Sequence, residues 1–180
     1  MNHESTYTRA YVDTVARYWI DQYKVDGFRF DLSKGFTQTL NPTNVGAWGN
    51  YDASRIATLK RMADKIWEFD PNAFVILEHL ADNTEERVLA DYRGSEGKGM
   101  MLWGKMTDQY NESTMGYGNN NSIFQAYHVS RGWQTPNLVS YMESHDEERL
   151  MFKNITYGNS KGEDRKSTRL NSSHLGISYA

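Results

Sequence analysis

Short apolar runs alternate with longer amphipathic stretches along most of this 180-residue chain, and that alternation limits the fold more than any other feature. Thr8 to Tyr23 sets Tyr11, Val12, Val15, Trp19 and Ile20 near one face at helical spacing, and Lys24-Val25-Asp26-Gly27 ends the pattern. Gly27 to Leu32 is too short for a helix and reads as a strand ending in Asp31. A polar stretch from Ser33 to Asp52 is longer than a connector needs, which marks a functional loop. Ser54 to Phe69 repeats apolar side chains at Ile56, Leu59, Ala63, Ile66 and Trp67, a second helix closed by Asp70-Pro71-Asn72. Ala73 to Glu78 reads as a second strand, followed by a short helix from Thr84 to Tyr92 with Asn83 and Glu86 at capping-box spacing. Met100 to Trp103, Ser122 to Val129 and Leu138 to Met142 supply a third strand, a helix and a fourth strand. This order predicts a parallel α/β architecture.

Composition narrows the chemistry. A formal net charge of −3, with no basic run along a helical face, gives no reason to expect nucleic acid or a membrane surface as partner. The absence of cysteine removes disulfides, thiolate metal sites and a cysteine nucleophile. No apolar stretch approaches the roughly 20 residues of a membrane span, and Met1 to Ser5 lacks the features of a secretion signal. Tyrosines and tryptophans in polar, glycine-rich settings, such as Trp48 and Trp133, suit a surface that meets sugars, though each alone is more often a packing residue.

Three apolar runs end at or lead into an acidic residue: Asp31, Glu78 and Asp146. One carboxylate after a strand is usually a helix cap or a solvated loop residue. Three of them, with Arg29 two residues before Asp31 and His145 beside Asp146, favour a catalytic reading, because strand ends of a β/α barrel gather at one mouth. Retaining cleavage of a glycosidic bond needs one carboxylate to attack the anomeric carbon and a second carboxyl to protonate the leaving oxygen. Period-two alternation puts Arg29 on the face of Asp31, where its cation favours the ionised nucleophile. Glu78 follows four apolar residues, and an apolar setting raises a carboxyl toward a general acid. Asp146 is then free to stabilise positive charge in the transition state. The five histidines show no metal-ligand spacing, no glycine-rich phosphate loop is present, and Ser144 lacks the nucleophile-elbow pattern.

Gly27-Phe28-Arg29-Phe30-Asp31-Leu32-Ser33-Lys34 resembles the second signature region of the α-amylase family of glycoside hydrolases, Val75-Ile76-Leu77-Glu78 the third, and Glu143-Ser144-His145-Asp146-Glu147 the fourth. The resemblance implies a partial TIM (β/α)₈ barrel comprising about its fourth to seventh strands. It makes Asp31 the nucleophile, Glu78 the acid/base and Asp146 the transition-state stabiliser, with Arg29, Lys34 and His145 as substrate contacts. The implied partner is an α-glucan oligo- or polysaccharide, and the chemistry itself requires no cofactor. Calcium is a further candidate from the resemblance. Many members carry histidine after the lysine of the second region, whereas Gly35 stands here, which weakens the case for calcium.

The family's first signature region has no counterpart, and a complete barrel runs to about 250 residues, so 1–164 is expected to be a partial catalytic barrel. Uncovered strand edges and apolar faces should then make the isolated chain inactive, and prone to fold poorly or to associate. Arg165 to His174 shows no apolar periodicity and resembles a translated adapter sequence, so 165–180 is set apart as a non-native tail. Hydrolysis of α-glucosidic bonds is the expected reaction. Transglycosylation or isomerisation by the same carboxylates, and a catalytically dead binding module, are the alternatives. Since polymeric glucan lies outside cells, the resemblance implies a secreted or periplasmic parent.

Overall fold

The computed structural model describes residues 1–39, 41 and 43–159. The secondary structure runs α1 (Thr6–Tyr23), β1 (Gly27–Phe30), α2 (Ala53–Phe69), β2 (Phe74–Leu77), α3 (Asn83–Ala90), β3 (Met101–Lys105), α4 (Thr107–Met115), β4 (Leu138–Tyr141) and α5 (Leu150–Tyr157). The four strands form one sheet in the order β1-β2-β3-β4. β1 and β2 are parallel with Phe30 opposite Leu77, and β2 and β3 are parallel with Leu77 opposite Leu102. Leu102 N–H of β3 donates to O of Asn137, just before β4, at 3.0 Å, and Met106 N–H, just after β3, donates to Tyr141 O of β4 at 3.0 Å, an equal advance along both segments that makes this pair parallel too. The fold is therefore α/β with a parallel sheet. Among the described residues no helix is long and apolar enough to cross a membrane.

The described residues form two compact units, one from Met1–Gly104 and Tyr127–Val139, the other from Lys105–Ala126 and 140–159. In the first, α2 carries its predicted stripe inward: Ile56, Leu59, Ala63, Ile66 and Trp67 are all buried, with Val75 and Leu77 of β2 and Leu102 of β3 in the same core. Each such large aliphatic side chain contributes about 1.5–3 kcal/mol on burial. Asp52 starts α2 by accepting the N–H groups of Ser54 at 3.0 Å and Arg55 at 3.1 Å. Gly27 sits opposite Phe74, where a Cβ would strike the Phe74 backbone, so β1 can approach β2 only with glycine there.

Three expectations about elements are corrected. Of the α1 face named by Tyr11, Val12, Val15, Trp19 and Ile20, Ile20 is buried and Val12 half-buried, but Tyr11, Val15 and Trp19 are exposed; Ala16 is buried beside Ile20, and Asp13 bridges to Arg61 of α2 at 2.9 Å. Apolar spacing shows which faces could be covered, and only contact with α2 decides which one is. The cap of α3 is Asp82, whose side chain accepts from Thr84 N–H, rather than the Asn83–Glu86 box. The helix expected at 122–129 is two 3₁₀ turns, Phe124–Ala126 and His128–Arg131, because Tyr127 between them is extended and Gly132 is left-handed.

The second unit contains α4 and α5, neither of them among the elements expected from the sequence; α4 is mostly polar and so leaves no apolar periodicity. They join through the Thr114 hydroxyl on Asn154 at 2.9 Å and the Asn159 N–H on Met115 O at 2.8 Å. The tail at 165–180 lies outside the described residues.

Candidate active site

Register brings the first two predicted carboxylates side by side. Phe30 pairs with Leu77, so Asp31 and Glu78 are the next residues off adjacent parallel strands, on one face at one edge. Arg29, two residues back on that face, joins them: Nη1 donates to Asp31 Oδ1 at 2.6 Å and Nη2 to Glu78 Oε2 at 2.6 Å. The guanidinium also lies over the Trp103 ring, 4.5 Å from its centroid. The Asp31 side chain is solvent-facing at 74% exposure, whereas that of Glu78 is 10% exposed. Glu78 Oε2 additionally accepts the Leu32 N–H at 3.2 Å. The apolar setting expected around Glu78 is therefore ionic at its carboxylate, since Val75 and Leu77 before it enter the core while its own oxygens meet Arg29.

Leu32 adopts the left-handed conformation at φ 42°, which turns the chain sharply after Asp31 into a 3₁₀ turn at Ser33–Gly35. That turn carries Lys34, whose ammonium lies on Leu80 O at 3.3 Å. In the second unit, His145 and Asp146 occupy a turn beyond β4, with His145 Nε2 3.5 Å from Asp146 Oδ1 and both side chains more than half exposed. Beside them Glu143, Ser144, His145, Glu147 and Arg149 line a cavity of about 360 Å³. Ser144 donates its hydroxyl to Glu147, and Lys105 pairs with Glu147 at 2.9 Å. Burial opposes ionisation of Glu147, but these two donors outweigh it and hold the carboxyl below its usual range. Asp31, Glu78, Arg29 and Lys34 thus assemble in the first unit, and His145 and Asp146 belong to the second.

Sequence reasoning missed the most buried polar cluster among the described residues. Arg55, Glu85, His79 and Ser33 are each 1% exposed or less. Arg55 Nε and Nη2 clamp the Glu85 carboxylate at 2.6 and 2.7 Å, the Asp52 N–H adds a third bond at 2.8 Å, His79 Nε2 lies 2.8 Å from Glu85 Oε1, and Ser33 Oγ lies 2.8 Å from His79 Nδ1. A signal existed: Arg55 shares the inward stripe of α2 with Leu59 and Met62, where a cation survives only with a buried partner. A second buried acid, Glu86, accepts the Ala81 N–H at 3.2 Å and pairs with Arg131 at 3.1 Å. Burial nevertheless pushes its carboxyl up to about 7.

No family model matches the chain. Over 83 residues it is 29% identical to a 1,4-alpha-glucan branching enzyme of Aliivibrio fischeri, covering 43% of this chain and 12% of that enzyme. Over 171 residues it is 26% identical to the chloroplastic/amyloplastic 1,4-alpha-glucan-branching enzyme 2-2 of Arabidopsis thaliana, covering 87% and 20%. Over 81 residues it is 35% identical to a 1,4-alpha-glucan branching enzyme of Vibrio parahaemolyticus, covering 40% and 10%. The chain thus spans between 10% and 20% of the length of these relatives. It is an α/β chain distantly related, over these stretches, to glucan branching enzymes.

Proposed function

We propose that Asp31 and Glu78 are the nucleophile and the acid/base of a retaining enzyme acting on α-glucosidic bonds, on strands four and five of a (β/α)₈ barrel. The observation that carries the reading is the pair of in-register strand-end carboxylates joined through one guanidinium. In the first step the Asp31 carboxylate attacks the anomeric carbon, the bond to the leaving glucan breaks, and Glu78 supplies the proton that the leaving oxygen takes up. Arg29 and the Leu32 N–H both engage Glu78 Oε2, which leaves Oε1 as the oxygen to carry that proton. In the second step Glu78 accepts a proton from the incoming hydroxyl as it displaces Asp31. Water as acceptor gives hydrolysis. A second reading, transfer to another glucan chain, draws support from the branching enzymes among the relatives. Asp146, with the resemblance as its support, stabilises the oxocarbenium-like transition state, and Lys34 and His145 contact substrate hydroxyls.

The test is covalent trapping on the full chain, which asks for one attack by Asp31 rather than for the turnover that uncovered barrel edges are expected to abolish. A glucosyl fluoride bearing a second ring fluorine has a leaving group that needs no proton and an intermediate that hydrolyses slowly. Mass spectrometry of the digested protein should place one fluoroglucosyl group on Asp31, lose it in Asp31→Asn and retain it in Glu78→Gln. Absence of label from the intact chain, or label on another residue, sinks the assignment. Where maltooligosaccharide is turned over, its products separate shorter chains from transferred ones.

A further inference from the structure

Glu85 accepts three N–H bonds from Arg55 and Asp52 besides its contact with His79. Burial works against its ionisation, but His79 and Arg55 outweigh it and the carboxyl is held below its usual range. An ionised Glu85 can only accept, so His79 Nε2 carries hydrogen. Burial also holds the His79 imidazole below its ordinary value, so the ring is neutral near pH 7, its Nδ1 is a lone pair, and Ser33 must donate to it. The proton order is then Ser33 Oγ–H to His79 Nδ1, and His79 Nε2–H to Glu85.

Ser33, His79 and Glu85 have the composition of a hydrolytic triad, yet Ser33 is fully buried, so no substrate carbon reaches its oxygen. Their place in the chain points elsewhere. Ser33 stands two residues after Asp31, His79 stands one after Glu78, and the Ser33 N–H donates to Glu78 O at 2.9 Å. The side-chain bond between Ser33 and His79 therefore ties together the two backbone turns that present the carboxylates. Arg55 anchors the other end: besides Glu85, its Nη1 donates to Lys34 O at 2.8 Å and Trp48 O at 2.9 Å, and its Nη2 to Asn50 O at 2.9 Å, so every guanidinium N–H is used.

We propose that Ser33, His79 and Glu85, clamped by Arg55, are positioning residues that hold Asp31 and Glu78 at the spacing their chemistry needs. The proposal rests on the reading of those two carboxylates as the reacting pair, so it is tested by one measurement that involves substrate and one that does not. In ¹⁵N-labelled full chain, the Nη–H protons of Arg29 should be separately resolved, because ion pairs to Asp31 and Glu78 slow rotation of its guanidinium, and His79 should be the Nε2–H tautomer. Ser33→Ala removes one oxygen, and circular dichroism verifies that it folds. His79→Leu removes both ring contacts, while His79→Gln keeps one acceptor and one donor.

Ser33→Ala and His79→Leu should merge the Arg29 signals and slow labelling of Asp31 by the fluorinated glycosyl fluoride on the order of 10- to 100-fold, the scale of an ångström-level misplacement, with His79→Gln restoring part of both. Arg29 signals and labelling rates unchanged in Ser33→Ala and His79→Leu would overturn the proposal, as would a His79 that titrates like a free imidazole. If the Arg29 signals respond as expected but the wild-type chain is never labelled, the positioning holds and the glucan-cleaving reading of the pair fails.

Discussion

Replacing Glu86 by glutamine should change how stability depends on pH by an amount that follows from its burial. Its carboxyl ordinarily ionises at 4.5 and is pushed up to about 7 in the folded chain, with burial the largest cause and Arg131 only partly offsetting it. The folded state therefore holds this proton more tightly than the unfolded state does. Below pH 4.5 both states are protonated and the group has no effect. As pH rises toward 7 the unfolded chain ionises first and stability falls, and above 7 the full penalty remains. A shift of this size is worth about 3 kcal/mol, of which about 2.5 kcal/mol develops between pH 5 and pH 8. Glu86→Gln also loses the ion pair with Arg131, but that cost weighs far less on the difference between two pH values than on stability at either one. All five tryptophans lie in the first unit, so urea unfolding followed by tryptophan fluorescence reports on the part that holds Glu86. The measurement is made at pH 5 and pH 8 and repeated at two protein concentrations, since exposed Tyr7, Tyr11, Trp19 and Tyr23 on α1 favour association. The stability of Glu86→Gln relative to wild type should rise by about 2.5 kcal/mol from pH 5 to pH 8. An equal difference at the two pH values would refute the argument.

Arg55→Leu should destabilise the first unit by about 3–5 kcal/mol in the same assay, because it leaves Glu85 charged, buried and short of its two strongest donors. Asp52→Ala should cost about 1 kcal/mol as a lost helix cap. Burial opposes ionisation of Asp52, but Thr37, Ser54, Arg55 N–H and Thr39 together hold it far below the usual carboxylate range. Its contribution is thus present above pH 3.8 and lost as pH falls below it, so wild type and Asp52→Ala should converge in acid melts. Gly27→Ala should destabilise by about 1–3 kcal/mol, read by urea midpoint, because the added methyl meets the Phe74 backbone.

The strands and the two long helices were legible because each carries its own periodic signal: α2 buries the five apolar residues its spacing named, and Asp31 and Glu78 stand at the strand ends where alternation put them. Arg29 was legible as the neighbour of Asp31 through its period-two position, but its bond to Glu78 was not, since 49 residues separate them and only the register of β1 against β2 closes that distance. α4 escaped because a polar helix leaves no periodic mark.

What the sequence determined alone is therefore local: which stretches are strands or helices, which carboxylates terminate strands, and which motif they resemble. Tertiary structure decided what depends on a partner remote in the chain. It exposed the aromatic face of α1, and it set one guanidinium between two carboxylates. It also turned Arg55, Glu85, His79 and Ser33, individually ordinary polar residues, into one buried network. The physical reason is that a charge can be buried only where another element supplies the opposite charge and the remaining hydrogen bonds, and the sequence of one element cannot show what the other brings.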